Sequence, residues 1–129
     1  MCADAFMIYG IGIDIVKIER MRKVVEKWGQ KFLKRVFTEN EISYCSARRI
    51  PYLSLAVRFA AKEALFKALG SEIPISYKDM EVINTASGKP FLKINGRLED
   101  HFKKKLISKT HLSLSHENEY GIAFVILEQ

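Results

Sequence analysis

One stretch of the chain concentrates residues able to do chemistry. It runs Arg58-Phe59-Ala60-Ala61-Lys62-Glu63-Ala64-Leu65-Phe66-Lys67-Ala68-Leu69-Gly70. On a helical wheel Val57, Ala60, Ala61, Ala64, Leu65 and Ala68 share one arc, and the small alanines let that face pack tightly. The other arc carries Arg58, Lys62, Glu63 and Lys67, with Phe59 and Phe66 among them. A solvated helix face does not usually hold two phenylalanines between its charges, so this arc reads as the wall of a cleft. Glu63 and Lys67 are four apart and lie one turn apart on the same side. The bland reading is a surface ion pair worth about 0.3–0.5 kcal/mol, and on pattern alone it is the commoner case. The chemical reading is a carboxylate ligand for a cation, with lysines answering phosphate charge. Mg²⁺ suits it, because that ion takes one or two carboxylates, several waters and substrate phosphate oxygens.

A second carboxylate, Asp14, ends the run Gly10-Ile11-Gly12-Ile13-Asp14. Ile8 to Ile15 alternates as a strand, with Tyr9, Ile11, Ile13 and Ile15 on one face and Ile8, Gly10, Gly12 and Asp14 on the other. Two glycines leave bare backbone beside Asp14, so a ligand or another element can come close. An aspartate between a strand and a helix is equally a common N-cap. In His111-Leu112-Ser113-Leu114-Ser115-His116, the residues His111, Ser113 and Ser115 share a strand face. That face is either solvated or a polar wall for phosphate or adenine. Ser87-Gly88-Lys89-Pro90 reads as a hairpin turn, and a Gly-Lys turn can also wrap a phosphate. Arg20, Lys23, Lys27 and Lys31 make a basic stripe, by default a solvated face, or one that steers an acidic partner.

The elements that must position these residues follow from periodicity. A helix is expected from about Ile15 to Gly29, with Ile18, Met21, Val25 and Trp28 as its buried stripe. Phe37-Thr38-Glu39-Asn40-Glu41-Ile42 carries a capping box and a hydrophobic staple, starting a helix that runs to about Arg49. Pro51 opens a third helix and Gly70 closes it. Met80 to Asn84 and Pro90 to Ile94 read as a hairpin. Arg97 to Ser108 reads as a helix with Leu98, Phe102 and Leu106 inward. His111 to His116 and Tyr120 to Leu127 read as final strands. The order β-ααα-ββ-α-ββ predicts an α+β domain with an antiparallel sheet packed against helices.

Composition bounds the rest. The chain has 129 residues, enough for one domain over 7–129, with residues 1–6 expected as a disordered extension. Its formal net charge of +6 points to an acidic or phosphorylated partner. No apolar run spans a bilayer, and no signal-like block opens the chain, so a cytoplasmic protein is expected. Cys2 and Cys45 form no framework, and no zinc spacing, GxGxxG or Walker loop is present. A basic nucleic-acid-binding domain without catalysis is the alternative from another class. It shares the charge but gives no reason for the spaced carboxylates.

Taken in order, Gly10 to Asp14, Arg20, Phe37-Thr38 with Glu41, Arg58 to Ala64 with Lys67, Ala68 and Gly70, Gly88 to Pro90, and His111 to His116 resemble the holo-[acyl-carrier-protein] synthases. These are the small single-domain class of 4′-phosphopantetheinyl transferases. The resemblance implies that fold, an active site at a subunit interface and a homotrimer. It implies transfer of 4′-phosphopantetheine from coenzyme A to a serine of an acyl carrier protein, with neither nucleic acid nor membrane as partner. Asp14 and Glu63 match its Mg²⁺ ligands. Arg58, Lys62 and Lys67 fall in the helix lining its coenzyme A site, and Gly88, Lys89, Pro90 and His111 match loops near the nucleotide. Arg20 and the following helix, with Lys23, Lys27 and Lys31, match the carrier-docking surface. Lys67 is expected to stabilise or protonate the departing phosphate. Glu63 is the first choice of base and His111 the second.

Overall fold

The computed structural model describes residues 7–70 and 74–129. The expected N-terminal extension, residues 1–6, lies outside the described residues. The chain runs through β1 (Ile8–Lys17), α1 (Ile18–Trp28), α2 (Gln30–Val36), α3 (Glu39–Ser46) and α4 (Pro51–Leu69). A 3₁₀ turn (Tyr77–Asp79) leads to β2 (Met80–Asn84), β3 (Pro90–Ile94), α5 (Gly96–Lys104), β4 (Lys109–His116) and β5 (Tyr120–Glu128). The strands form an antiparallel sheet in the order β1-β5-β4 and a separate β2-β3 hairpin. The α+β reading holds.

The centre of the fold is the contact of α4 with β1. A Cβ added to Gly10 would stand 1.8 Å from the Ala68 carbonyl oxygen, and one on Gly12 would stand 1.8 Å from that of Ala64. Only bare backbone fits there. Two strand residues advance about 6.6 Å and four helical residues about 6 Å, so the glycine and alanine repeats stay in step. Pro51 at the first turn and Gly70 in the left-handed conformation (φ 66°) bound α4 as the sequence predicts. Ala60, Ala61, Ala64 and Leu65 are fully buried. The capping box of Thr38 and Glu41 opens α3 as expected.

The glycine face of β1 is thus the inner face, and the isoleucine face is the outer one. Ile11, Ile13 and Ile15 are 59%, 57% and 59% exposed. Register extends this face across the sheet in three rows: Ile11–Ile126–His111, Ile13–Phe124–Ser113 and Ile15–Ile122–Ser115. An apolar band flanked by the polar side of β4 faces outward.

Three local expectations need correction. The strand β1 continues to Lys17, because it pairs with β5 as far as Tyr120, so the helix starts later than Ile15. That helix then breaks at Gly29, whose φ of 56° it cannot absorb, and α2 follows. Trp28, next to the break, is 53% exposed rather than buried, with the Lys27 ammonium 5.2 Å from its ring centre. The helix α5 ends at Lys104, and Leu106 takes φ 57° and points outward at 74% exposure. Ile107 fills the core place expected for Leu106, its N–H donating to the Phe102 carbonyl at 2.9 Å.

Gly12→Ala is expected to cost at least about 3 kcal/mol, seen as a lower urea midpoint, because the obstacle is backbone rather than a movable side chain. A cost under about 1 kcal/mol would mean that α4 can retreat from β1.

Candidate active site

The register of β1 against α4 continues past the glycines to the chemistry. With Gly12 opposite Ala64, Asp14 lies one step further along the strand, toward the turn of α4 that holds Glu63. Asp14, Glu63, Arg20 and Phe59 line one cavity of ≈ 370 Å³. Asp14 is not an N-cap: Lys17 occupies that position of α1, and no side chain caps it. The Asp14 side chain is 16% exposed and accepts from the Lys67 ammonium at 3.0 Å. Lys67 also donates to the Ile13 carbonyl at 2.9 Å and is 57% exposed. The helical Glu63–Lys67 pair is therefore not formed; Lys67 reaches the strand instead. Glu63 Oε2 accepts from the Tyr77 hydroxyl at 3.1 Å. Burial, then the Glu63 and Asp14 charges, push the Tyr77 phenol up to about 12, so it stays protonated and donating at neutral pH.

Two carboxylates and an arginine around one cavity, with the Lys67 ammonium on Asp14, suit a hard cation held jointly with phosphate oxygens. Among the described residues no group of three or more metal-ligating side chains exists. The donor set thus matches a two-carboxylate site and not a full protein cage.

Lys62 belongs elsewhere, which corrects its expected place in the ligand site. It is fully buried. Its ammonium donates to Glu41 Oε1 at 2.6 Å, to the Val36 carbonyl at 2.8 Å and to the Tyr77 carbonyl at 3.0 Å. All three protons of an ammonium are thereby used. Burial pulls the Lys62 ammonium below its ordinary pKa, and the Glu41 charge opposes that. The same Glu41 accepts from the Thr38 and Val82 backbone N–H groups at 2.9 and 2.8 Å. Thr38 in turn donates its hydroxyl to Glu81. Lys62 is a structural cation that ties α2, α3, α4 and the 3₁₀ turn together.

Arg58 lines a second cavity of ≈ 460 Å³, together with Tyr44, Asn84, Gly88, Pro90 and His116. Its guanidinium donates to the Ser54 hydroxyl at 2.8 Å and to Asn84 Oδ1 at 2.5 Å, and it lies 4.4 Å from the Tyr44 ring centre. Arg48 stands against the same ring at 5.0 Å. Three of the expected ligand residues, Arg58, Gly88 and Pro90, meet here. Lys89 is exposed in the adjoining turn. His111 is elsewhere: it sits on the outer sheet face, hydrogen-bonded to Glu128 Oε1 at 2.6 Å. The sheet separates it from Asp14 on the inner face, so within one chain it does not reach the carboxylate cavity as the alternative base to Glu63. The histidine in the cavity is His116. Its alternation with Leu112 and Leu114 was the available signal, since that face turns inward beside the alanine helix.

The basic stripe is also divided. Arg20, Lys23 and Lys27 are exposed on α1, while Lys31 lies beyond the Gly29 break on α2. Across that break Val24, Trp28 and Phe32 form the floor of a ≈ 390 Å³ groove, with Lys31 and Arg35 at its rim. Val24 and Phe32 line both this groove and the carboxylate cavity, where Arg20 also lies.

Residues 10–125 match the family described as ACPS: 4′-phosphopantetheinyl transferase superfamily. The holo-[acyl-carrier-protein] synthase of Halothermothrix orenii is 47% identical over 124 residues, covering 95% of this chain and 99% of its own. The crystal structure of holo-[acyl-carrier-protein] synthase from Neisseria meningitidis superposes with a TM-score of 0.89 at 38% identity, over 95% of this chain and 100% of that one. A holo-(acyl-carrier-protein) synthase from Bacillus anthracis, in complex with CoA (3′,5′-ADP), gives a TM-score of 0.78 at 38% identity, over 95% and 97%. The fold is that of a group-transfer enzyme. The chain belongs to the 4′-phosphopantetheinyl transferase superfamily, and within it to the holo-[acyl-carrier-protein] synthases.

Lys62→Met should cost about 3–5 kcal/mol in urea denaturation, because it strands the Glu41 carboxylate in the core. A loss under about 1 kcal/mol would show that Glu41 reaches water or another partner once the ammonium is gone.

Proposed function

We propose that this chain transfers 4′-phosphopantetheine from coenzyme A to a serine of an apo-acyl carrier protein, releasing adenosine 3′,5′-bisphosphate. The observation that carries the reading is the convergence of Asp14 and Glu63 on one cavity with Lys67 beside them. Asp14 and Glu63 would hold Mg²⁺, which, when bound with the pyrophosphate of coenzyme A, supplies neutralisation of the charge that grows on its oxygens. Lys67, now on Asp14, has an exposed head free to turn toward phosphate. Glu63 takes the serine proton, directly or through water, as the serine oxygen bonds to the β-phosphorus. The bond from that phosphorus to the bridging oxygen breaks, and Lys67 stabilises or protonates the departing α-phosphate. Positioning and electrostatics suffice for such a transfer, so no covalent nucleophile is needed.

The rest of the surface fits the same reaction. The Arg58 cavity has the cations and the turn to take the adenosine bisphosphate end of coenzyme A. The α1–α2 groove, apolar below and basic at the rim, fits a helix of an acidic carrier, with Arg20 leading to the carboxylates. The reading places the enzyme in the cytoplasm with both substrates. It also extends to assembly. One chain divides the ligand groups between two cavities and leaves Ile11, Ile13, Ile15 and Phe124 exposed as a continuous apolar band. Monomers rarely leave such a band open. A closed homotrimer packed on this face would cover it and join one chain's cavity to its neighbour's.

Mass spectrometry of an apo-carrier incubated with the protein, coenzyme A and Mg²⁺ is expected to show the phosphopantetheine increment. Glu63→Gln should keep the fold and lower kcat by about 100-fold or more, as loss of several kcal/mol of charge stabilisation requires; unchanged turnover removes Glu63 from the chemistry. Ile13→Glu should sediment as a monomer and lose transfer, whereas an intact trimer of this variant would place the subunit contact on another face.

A further inference from the structure

Tyr77 is gripped at every part of its structure. Its carbonyl accepts from the buried Lys62 ammonium at 3.0 Å. Its ring stacks on Phe59, with centroids 5.8 Å apart at 27°, and meets Phe66 edge-on at 5.1 Å and 85°. Its hydroxyl donates to Glu63 Oε2 at 3.1 Å. The helix explains the geometry: Glu63 lies four residues after Phe59 and three before Phe66, so the two rings flank it on one face. A ring seated between them must carry its hydroxyl to the carboxylate. This is the use of the two phenylalanines in the charged arc of α4.

We infer that Tyr77 is a positioning residue for Glu63, fixing one carboxylate oxygen so that the other is presented to a divalent cation in the Asp14 cavity. The inference rests on the proposed function, since it concerns how the proposed ligand is held. Partners that orient a metal ligand commonly govern affinity by about 10- to 100-fold when removed. Here the partner is itself locked. The chain of support runs from Glu41 through Lys62 to the Tyr77 backbone, then through the ring to the hydroxyl and Glu63. Tyr77 does not touch substrate in this arrangement; it acts through the carboxylate.

Tyr77→Phe keeps the ring and both ring contacts and removes only the hydroxyl. Two readouts separate orientation from general damage: Mn²⁺ binding to the protein with coenzyme A, followed by electron paramagnetic resonance, and the Mg²⁺ dependence of transfer. We expect the Mn²⁺ dissociation constant and the Mg²⁺ concentration for half-maximal rate both to rise about 10-fold. At saturating Mg²⁺ kcat should stay within about threefold of wild type, and that for Tyr77→Phe only. A Mn²⁺ constant within about twofold of wild type, or a fall in kcat with unmoved cation constants, overturns the inference. Failure of the parent reading looks different: the wild-type protein itself would add no phosphopantetheine to the carrier, or bind no Mn²⁺.

Discussion

Everything in this fold depends on how closely α4 lies against β1. Two glycines remove the side chains from one side, and the carbonyl oxygens of Ala64 and Ala68 occupy the space. Gly121 of β5 makes a looser version of the same room, since a Cβ there would meet a Val57 methyl at 2.8 Å and the Val57 backbone nitrogen at 3.2 Å. Contacts this short between backbones allow no sliding, because a shift along the helix would bring alanine carbonyls against the wrong strand residues. The register of Asp14 against Glu63 is a consequence. The two carboxylates are distant in the chain, and neither is placed by a flexible loop; each sits on a rigid element, and the elements are locked two residues away.

The buried Lys62–Glu41 pair has a different task. Removing two charges from water is expensive, and a well-packed apolar pair often does as well or better for stability. What the pair provides here is connection. Glu41 closes the start of α3 and accepts from Val82 in β2; Lys62 reaches Val36 at the end of α2 and Tyr77 in the 3₁₀ turn. Four elements are therefore tied to α4 through one ammonium and its carboxylate, next to the residue Glu63. The adjacent residues Lys62 and Glu63 divide the labour: one anchors inward, the other faces the cavity.

Much of this was legible in the sequence where local chemistry decides. Pro51 and Gly70 bound α4 correctly, the Thr38–Glu41 box opens α3, and the β2–β3 hairpin falls on the residues its turn predicts. The pairing of Asp14 with Glu63 came from resemblance, because spacing along a chain says nothing about which strand meets which helix. The end of α1 at Gly29 was legible, but the short helix α2 that follows it was not, and the basic stripe was read straight through from Lys27 to Lys31. Lys62 resembled a surface lysine because its partner lies 21 residues away in sequence. Its immediate neighbours Ala61 and Glu63 belong to opposite faces. Alternation told the two faces of β1 apart without telling which one the helix would cover. Tyr77 gave no signal at all; its role exists only once Phe59 and Phe66 flank it.

The direction of burial in β1 also explains why one small chain carries an exposed apolar face. Ordinarily the branched apolar residues of a strand turn inward and the small or polar ones outward. Here the glycines face inward because the helix must come within backbone distance, and that choice forces Ile11, Ile13 and Ile15 outward. The same alternation on β5 and β4 puts Phe124, Ser113 and His111 on the outer surface beside them. The close helix–strand contact that positions the carboxylates therefore generates, with no further instruction, an apolar face that water covers poorly. The placement of the two carboxylates and the exposed apolar face follow from one steric choice, and a substitution that relieved the second by moving the isoleucines inward would destroy the first.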